Sequence, residues 1–156
     1  MNLPSLTFIQ FTIPKLLGKL TLSSAQETAA ASQTIASYTG TDSDIAITTA
    51  GDKNHTVIFT GAVTTGAVTG TIVIDGQGTQ TVATLVQVGG DLTGVVSLDD
   101  NAGTVTLEMT GNNTTIGQTV NSVGGDNEAI LKLSGTGTTV SSAVGKAANG
   151  SFEAIN

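Results

Sequence analysis

Strand-like runs in this chain end at marked positions that return after a fixed interval. "TIVIDG" ends at Gly76, and "VVSLDD" ends at Asp100, 24 positions later; "TLEMTG" ends at Gly111, and "LKLSG" ends at Gly135, again 24 later. Two and four residues before each glycine anchor the side chains are apolar: Ile74 and Ile72, Met109 and Leu107, Leu133 and Leu131. The residue between them is Val73, Glu108 or Lys132. Alternation of this kind describes a strand with one buried face and one face nearer water. Beyond each anchor the apolar positions also recur: Val82, Ile116 and Val140 after five or six residues, Leu85, Val120 and Val144 after nine, and Val88, Val123 and Ala147 after twelve. "VIFTG", ending at Gly61, reads as a shorter earlier copy, and "SFEAIN" as the start of a later one.

A period in the low twenties built from strands and turns predicts a solenoid, because no unit of that size buries its own apolar face and stacked units share one core. Inward Val, Ile and Leu would form ladders, and glycine would supply the corner conformations that other residues avoid. The 156 residues suffice for one such domain. The 28 Thr and 20 Gly fit many short strands joined by turns. With 38% apolar residues the chain lacks the composition of disorder. The fold class expected is all-β, a parallel β-helix over residues 41–156.

One segment supports another reading. "VVSLDDNAGTVTLEM" has two alternating runs around "DDNAG", which is a hairpin pattern. Strung hairpins make a sandwich or meander, whereas in a β-helix the same turn is a corner within one coil. The interval from Asp100 to Gly111 is 11 residues and does not fit the period of 24.

Residues 1–40 are treated as a separate N-terminal segment. "MNLPSLTFIQFTIPKLLGKLTL" is apolar, but Pro14, Lys15 and Lys19 interrupt it, so it matches a secretory signal weakly and a transmembrane helix not at all. "SSAQETAAASQTIASY" has capping-box spacing between Ser24 and Glu27 followed by an alanine run. It is expected to form either a short helix capping the coils or a linker.

Charge and composition exclude several function classes. A net charge of −7, with five Lys and no Arg, offers no clustered positive surface for nucleic acid or for anionic lipid. Without cysteine there are no disulfides, thiolate metal sites or cysteine nucleophiles. His55 is the sole histidine and cannot by itself build a zinc site or a nucleophile–base pair; it is expected as a loop residue before a strand. Asp42, Asp44 and Asp52 lie close in sequence, and Asp42 with Asp44 could hold a loose surface cation, but all read first as turn carboxylates. The "GGD" at Asp91 and Asp126 is not the calcium repeat of Gly-Gly-x-Gly-x-Asp solenoids. The adjacent Asp99 and Asp100 could suggest a glycosidase pair, but the chain has no Trp for sugar stacking. "DGQGT" and "GTGTT" lack the lysine and following helix of a phosphate loop, and "NHT", "NNT", "NTT" and "NGS" read as turn residues that happen to match a glycosylation pattern. No catalytic residue, metal ligand or cofactor site is expected.

"AGTVTLEMTGNNTTIGQTVNSVGG" resembles the strand repeats of bacterial autotransporter passengers. "TVIFTGAVTTGAVTG" and "SAVGKAANGSFEAIN" resemble passengers of rickettsial surface antigens of the outer-membrane-protein B type. The likeness spans about residues 45–156. It implies a right-handed β-helix held on the extracellular side of the outer membrane, serving adhesion or contact with host or neighbouring cells. A passenger of this kind meets the membrane through a C-terminal barrel whose strands carry aromatic girdles. This sequence ends at "FEAIN" with one Tyr and four Phe in all, so it is expected to be a fragment of a longer passenger. The competing expectation is a fibre or surface-layer subunit that self-associates through uncovered strand edges.

Overall fold

The computed structural model describes residues 19–23, 31–40, 42–49, 53–66, 70–76, 82–100, 103–123, 129–146 and 152–156. In chain order the strands are β1 (Lys19–Ser23), β2 (Ala31–Ile35), β3 (Tyr38–Thr39), β4 (Asp44–Thr48), β5 (His55–Phe59), β6 (Val63–Thr64), β7 (Thr71–Asp75), β8 (Ala83–Val88) and β9 (Leu92–Thr93). They continue with β10 (Val95–Asp99), β11 (Thr104–Met109), β12 (Thr115–Ile116), β13 (Val120–Ser122), β14 (Ala129–Leu133), β15 (Thr139–Val140), β16 (Val144–Lys146) and β17 (Phe152–Ile155).

Successive strands never share a sheet. The first sheet orders β1-β4-β7-β10-β13-β16, the second β17-β14-β11-β8-β5-β2 and the third β15-β12-β9-β6-β3. All pairings among the described residues are parallel. The chain therefore winds from face to face and returns to each face one coil later, as a three-sided β-solenoid. The sandwich and meander alternative is excluded, since β10 and β11, the two arms of the supposed hairpin, lie in different sheets.

The core follows from alternation. On the second sheet Val57, Val86, Leu107 and Leu131 stand in register and are at most 2% exposed. Beside them Phe59, Val88 and Met109 form another buried column. Ile45, Ile72, Val96 and Val120 do the same on the first sheet, and Tyr38, Val63, Leu92, Ile116 on the third. Each such side chain removes from water apolar surface worth about 1.5–3 kcal/mol. Glu108 and Lys132 occupy the outward positions between Leu107 and Met109 and between Leu131 and Leu133, as the alternation requires.

The interval of 24 holds within a face between the later coils, as from Val96 to Val120 and from Leu107 to Leu131, whereas Ile45 to Ile72, Val57 to Val86 and Val86 to Leu107 are spaced differently; the misfit of 11 is the step between faces. Gly76 and Asp100 both end strands of the first sheet, and the Gly76 N–H donates to the Asp99 carbonyl. Gly111 and Gly135 both follow strands of the second sheet. The runs "TIVIDG" and "TLEMTG" are thus not equivalent, for one lies on the first sheet and the other on the second. Val120 does pair with Val144, and Ile116 with Val140, but Leu85 belongs to the second sheet opposite Thr106 and points away from the core. The expected equivalence of Leu85 with Val120 and Val144 is therefore corrected. "SFEAIN" takes the expected place as the next strand on β14.

The solenoid also reaches into the first forty residues: β1, β2 and β3 pair with β4, β5 and β6. Part of the expected capping helix, Ala31–Ile35, is strand β2. The register of the coil decides this, because Ile35 fills the inner column over Phe59. Ser24, Glu27 and the rest of that segment lie outside the described residues, as do residues 1–18.

Two corner features use glycine where little else fits. A Cβ on Gly111 would overlap the carbonyl oxygen of Gly89, and one on Gly135 would overlap that of Gly111, so the backbones stack with no room for a side chain. At the next corner position the chain takes positive φ at Asn113 (54°) and again one coil later at Gly137 (73°), residue types that tolerate the left-handed region.

Candidate functional site

The acidic and amide side chains that drew attention in the sequence are mostly occupied in joining coils. Asp44 Oδ1 accepts from the Thr71 N–H at 2.9 Å and from its hydroxyl at 2.8 Å. Asn54 Oδ1 accepts from Ala83 N–H at 2.9 Å, and Asp91 Oδ1 from Thr115 N–H at 2.8 Å. Asp100 Oδ2 accepts from Ala129 N–H at 3.1 Å, and Asn112 Oδ1 from Thr136 N–H at 2.9 Å. In all five the oxygen sits in one coil and the amide in the following one. These N–H groups fall at corners, where strand pairing does not serve them, and a buried backbone donor left without a partner is costly. The Asp44 carboxyl is accordingly held below its ordinary value, chiefly by the Thr71 N–H and then by its hydroxyl, with burial opposing and the Lys19 charge assisting.

The structure does not bring the sequence candidates together as a reactive constellation. Asp99 is an outward residue of β10 in register with Asp75, whereas the adjacent Asp100 is 0% exposed and spends one oxygen on Ala129. Among the described residues no group of three or more His, Asp and Glu side chains is placed to hold a metal ion. Asp42 takes a positive φ at a corner, while Asp52 and Asp126 lie outside the described residues.

His55 departs from its expected place. It is the first residue of β5, not a loop residue, and is fully buried in register with Thr84. Thr84 and Thr49, also buried, join their hydroxyls at 2.6 Å at the same edge of the interior. The sequence cue "GDKNHTV" looked like a turn running into a strand, but the inner column of the second sheet starts at the histidine itself.

One polar cluster has a geometry that sequence reading missed. Glu108 on β11 lies in register between Gln87 on β8 and Lys132 on β14. Gln87 Nε2 donates to Glu108 Oε2 at 2.8 Å, Ser134 Oγ donates to Oε1 at 2.5 Å, and Lys132 Nζ stands 2.9 Å from Oε1. The carboxylate side chain is 10% exposed although it faces outward. Burial raises its pKa, but hydrogen bonds from Ser134, Gln87 and Lys132, with the Lys132 charge, outweigh that and bring it down to about 2. The signal was available: Glu108 and Lys132 are oppositely charged and 24 residues apart, which in this fold means neighbours.

No protein-family model matches the chain, and comparison with curated proteins and with solved structures finds no match. What bears on function is therefore the geometry of the molecule: parallel coils, corners stitched by Asp and Asn, and a short third face lined outward by Thr39, Thr64, Thr93, Thr115 and Thr139.

Proposed function

We propose that this chain is a structural segment of an autotransporter-type passenger, displayed on the extracellular side of the outer membrane, where its faces and corners make adhesive or cell-surface contacts. The observation that carries the reading is the use to which chemistry-bearing side chains are put. Asp44, Asp91 and Asp100 cap amides of the next coil, and Glu108 ties three strands together. Such an arrangement serves an extended scaffold that presents surface. The strand repeats resemble those of passengers, and a parallel solenoid is the architecture that resemblance implies.

Surface shaving tests it. Intact source cells are treated with protease, released peptides are identified by mass spectrometry, and the parent polypeptide is sized. Peptides from residues 70–156, released from a polypeptide much larger than 15.5 kDa, are the expected result. A 15.5 kDa species confined to the cell interior overturns the proposal.

A second reading, a self-associating fibre subunit, is favoured by one observation. The outermost strand β17 leaves Ile155 57% exposed, and uncovered strand edges invite pairing. Sedimentation of the purified chain over a concentration series distinguishes the two: growth into long polymers supports the fibre, and a fixed small species supports the passenger.

A further inference from the structure

The inner column at the start of the second-sheet strands reads Ala31, His55, Thr84, Val105 and Ala129 in register along the stack. His55 alone among these residues titrates near neutral pH. It lies inside the stack, with β2 paired on one side of its strand and β8 on the other. The residue is 0% exposed, and both ring nitrogens are shielded from water. Protonation would place a charge there, and burial disfavours the charged form of an imidazole.

The groups that meet this position can be named element by element among the described residues. β2 brings Ala31, β8 brings Thr84, and β11 brings Val105 one coil further on. From the first sheet comes the buried Thr49, whose hydroxyl meets that of Thr84 at 2.6 Å. Lys53 precedes β5 by two residues, and its like charge opposes a second cation. Asp75 and Asp99 are outward residues of β7 and β10. Asp100 follows Gly76 in the corner column, two coils beyond Thr49, and gives one oxygen to the Ala129 N–H.

We propose that His55 is an acid sensor built into the stack: the coils around β5 stay closed while its imidazole is neutral and loosen when acid protonates it, uncovering Val57 and Phe59. A solvated imidazole takes up a proton at about pH 6.5. Below that pH the opened chain binds a proton that the closed chain excludes, so stability falls as pH falls. The carboxyls of Glu108 and Asp44, both held below their ordinary values, act at lower pH, which separates the two responses.

The intact chain tests this. It has one histidine, so the imidazole NMR signals identify themselves. Between about pH 8 and about pH 5 the folded protein should keep them at neutral-imidazole positions. Over the same range the urea midpoint should fall below about pH 6.5, with the unfolding constant rising by up to about tenfold per pH unit. His55→Gln should remove that slope and keep the acid loss tied to Glu108 at lower pH. His55→Leu serves if the first variant does not fold, and the wild-type signals and slope decide if neither does. A folded-state imidazole that titrates near its ordinary value, or is already charged at neutral pH, overturns the proposal. So does a wild-type midpoint that is flat over this range, or a variant that keeps the wild-type slope.

Discussion

Coils β7–β13 and the strands β14–β17 obey the same rules of alternation and corner, yet their interiors differ. Leu98, Val105, Met109, Ile116 and Val120 are all 0% exposed; of the later strands Ala129 and Leu131 on β14 match them, whereas Leu133, Val140, Val144 and Phe152 pack against the core from partly exposed positions. The path of the chain is set by pattern, which each coil carries for itself. Burial is a shared property that needs a filled coil on both sides. Two segments with the same sequence grammar can therefore differ widely in what they contribute to stability.

The strongest way to break this contrast is a charge in the core. Leu107→Asp should cost more than about 4 kcal/mol and abolish the β-sheet circular dichroism at room temperature. Leu133→Asp, at a position already partly wet, should cost about 1–2 kcal/mol and leave urea melting of the earlier coils intact. Equal loss at both sites would show that the two regions do not differ energetically.

Glycines provide the next test. Gly111→Ala drives a methyl into the Gly89 carbonyl and should cost about 2 kcal/mol. Gly145→Ala on β16 meets no atom within 4 Å and should change stability by less than about 0.5 kcal/mol in either direction. Both are read from denaturant midpoints. Corner bonds should rank by burial in the same way: Asp100→Ala, which strips a buried amide of its acceptor, about 1–3 kcal/mol, and Asp91→Ala at an exposed corner about 0.5–1 kcal/mol.

A further test is acidic. Glu108 has a depressed folded-state pKa of about 2 against an ordinary 4.5. Its contribution is therefore fully present above about pH 4.5 and is lost as pH falls through about 2. Asp44 is depressed in the same direction, so the informative quantity is the difference between wild type and Glu108→Gln. Thermal melts should show a steeper fall of stability with acid for wild type, and parallel curves would remove the clamp from the account.

The face-to-face path was legible in the sequence because inward residues alternate and the interval of 24 holds between the later coils. What the sequence hid was which face each strand occupies. "TIVIDG" and "TLEMTG" look alike because both are strands ending at glycine, and nothing in a strand's own residues states which side of a three-sided coil it forms. Positions became comparable only through parallel partners such as Ile74 with Leu98 and Leu107 with Leu131. The same gap explains the misplacement of His55 and the missed tie at Glu108, since each depends on a neighbour one coil away. Ala31–Ile35 was hard for another reason: the alanine run that leads into it favours helix, and the column shared with Phe59 overrides it.

The five corner bonds all run one way, from an oxygen in one coil to an amide in the next. The rod consequently has a direction, like an arrow. A cut between coils joined this way would leave the corner acceptors, three of the five carboxylate, on the N-terminal piece and the corner amides on the C-terminal piece, while the strand edges would offer donors and acceptors on both. The corners alone tell one end of the rod from the other.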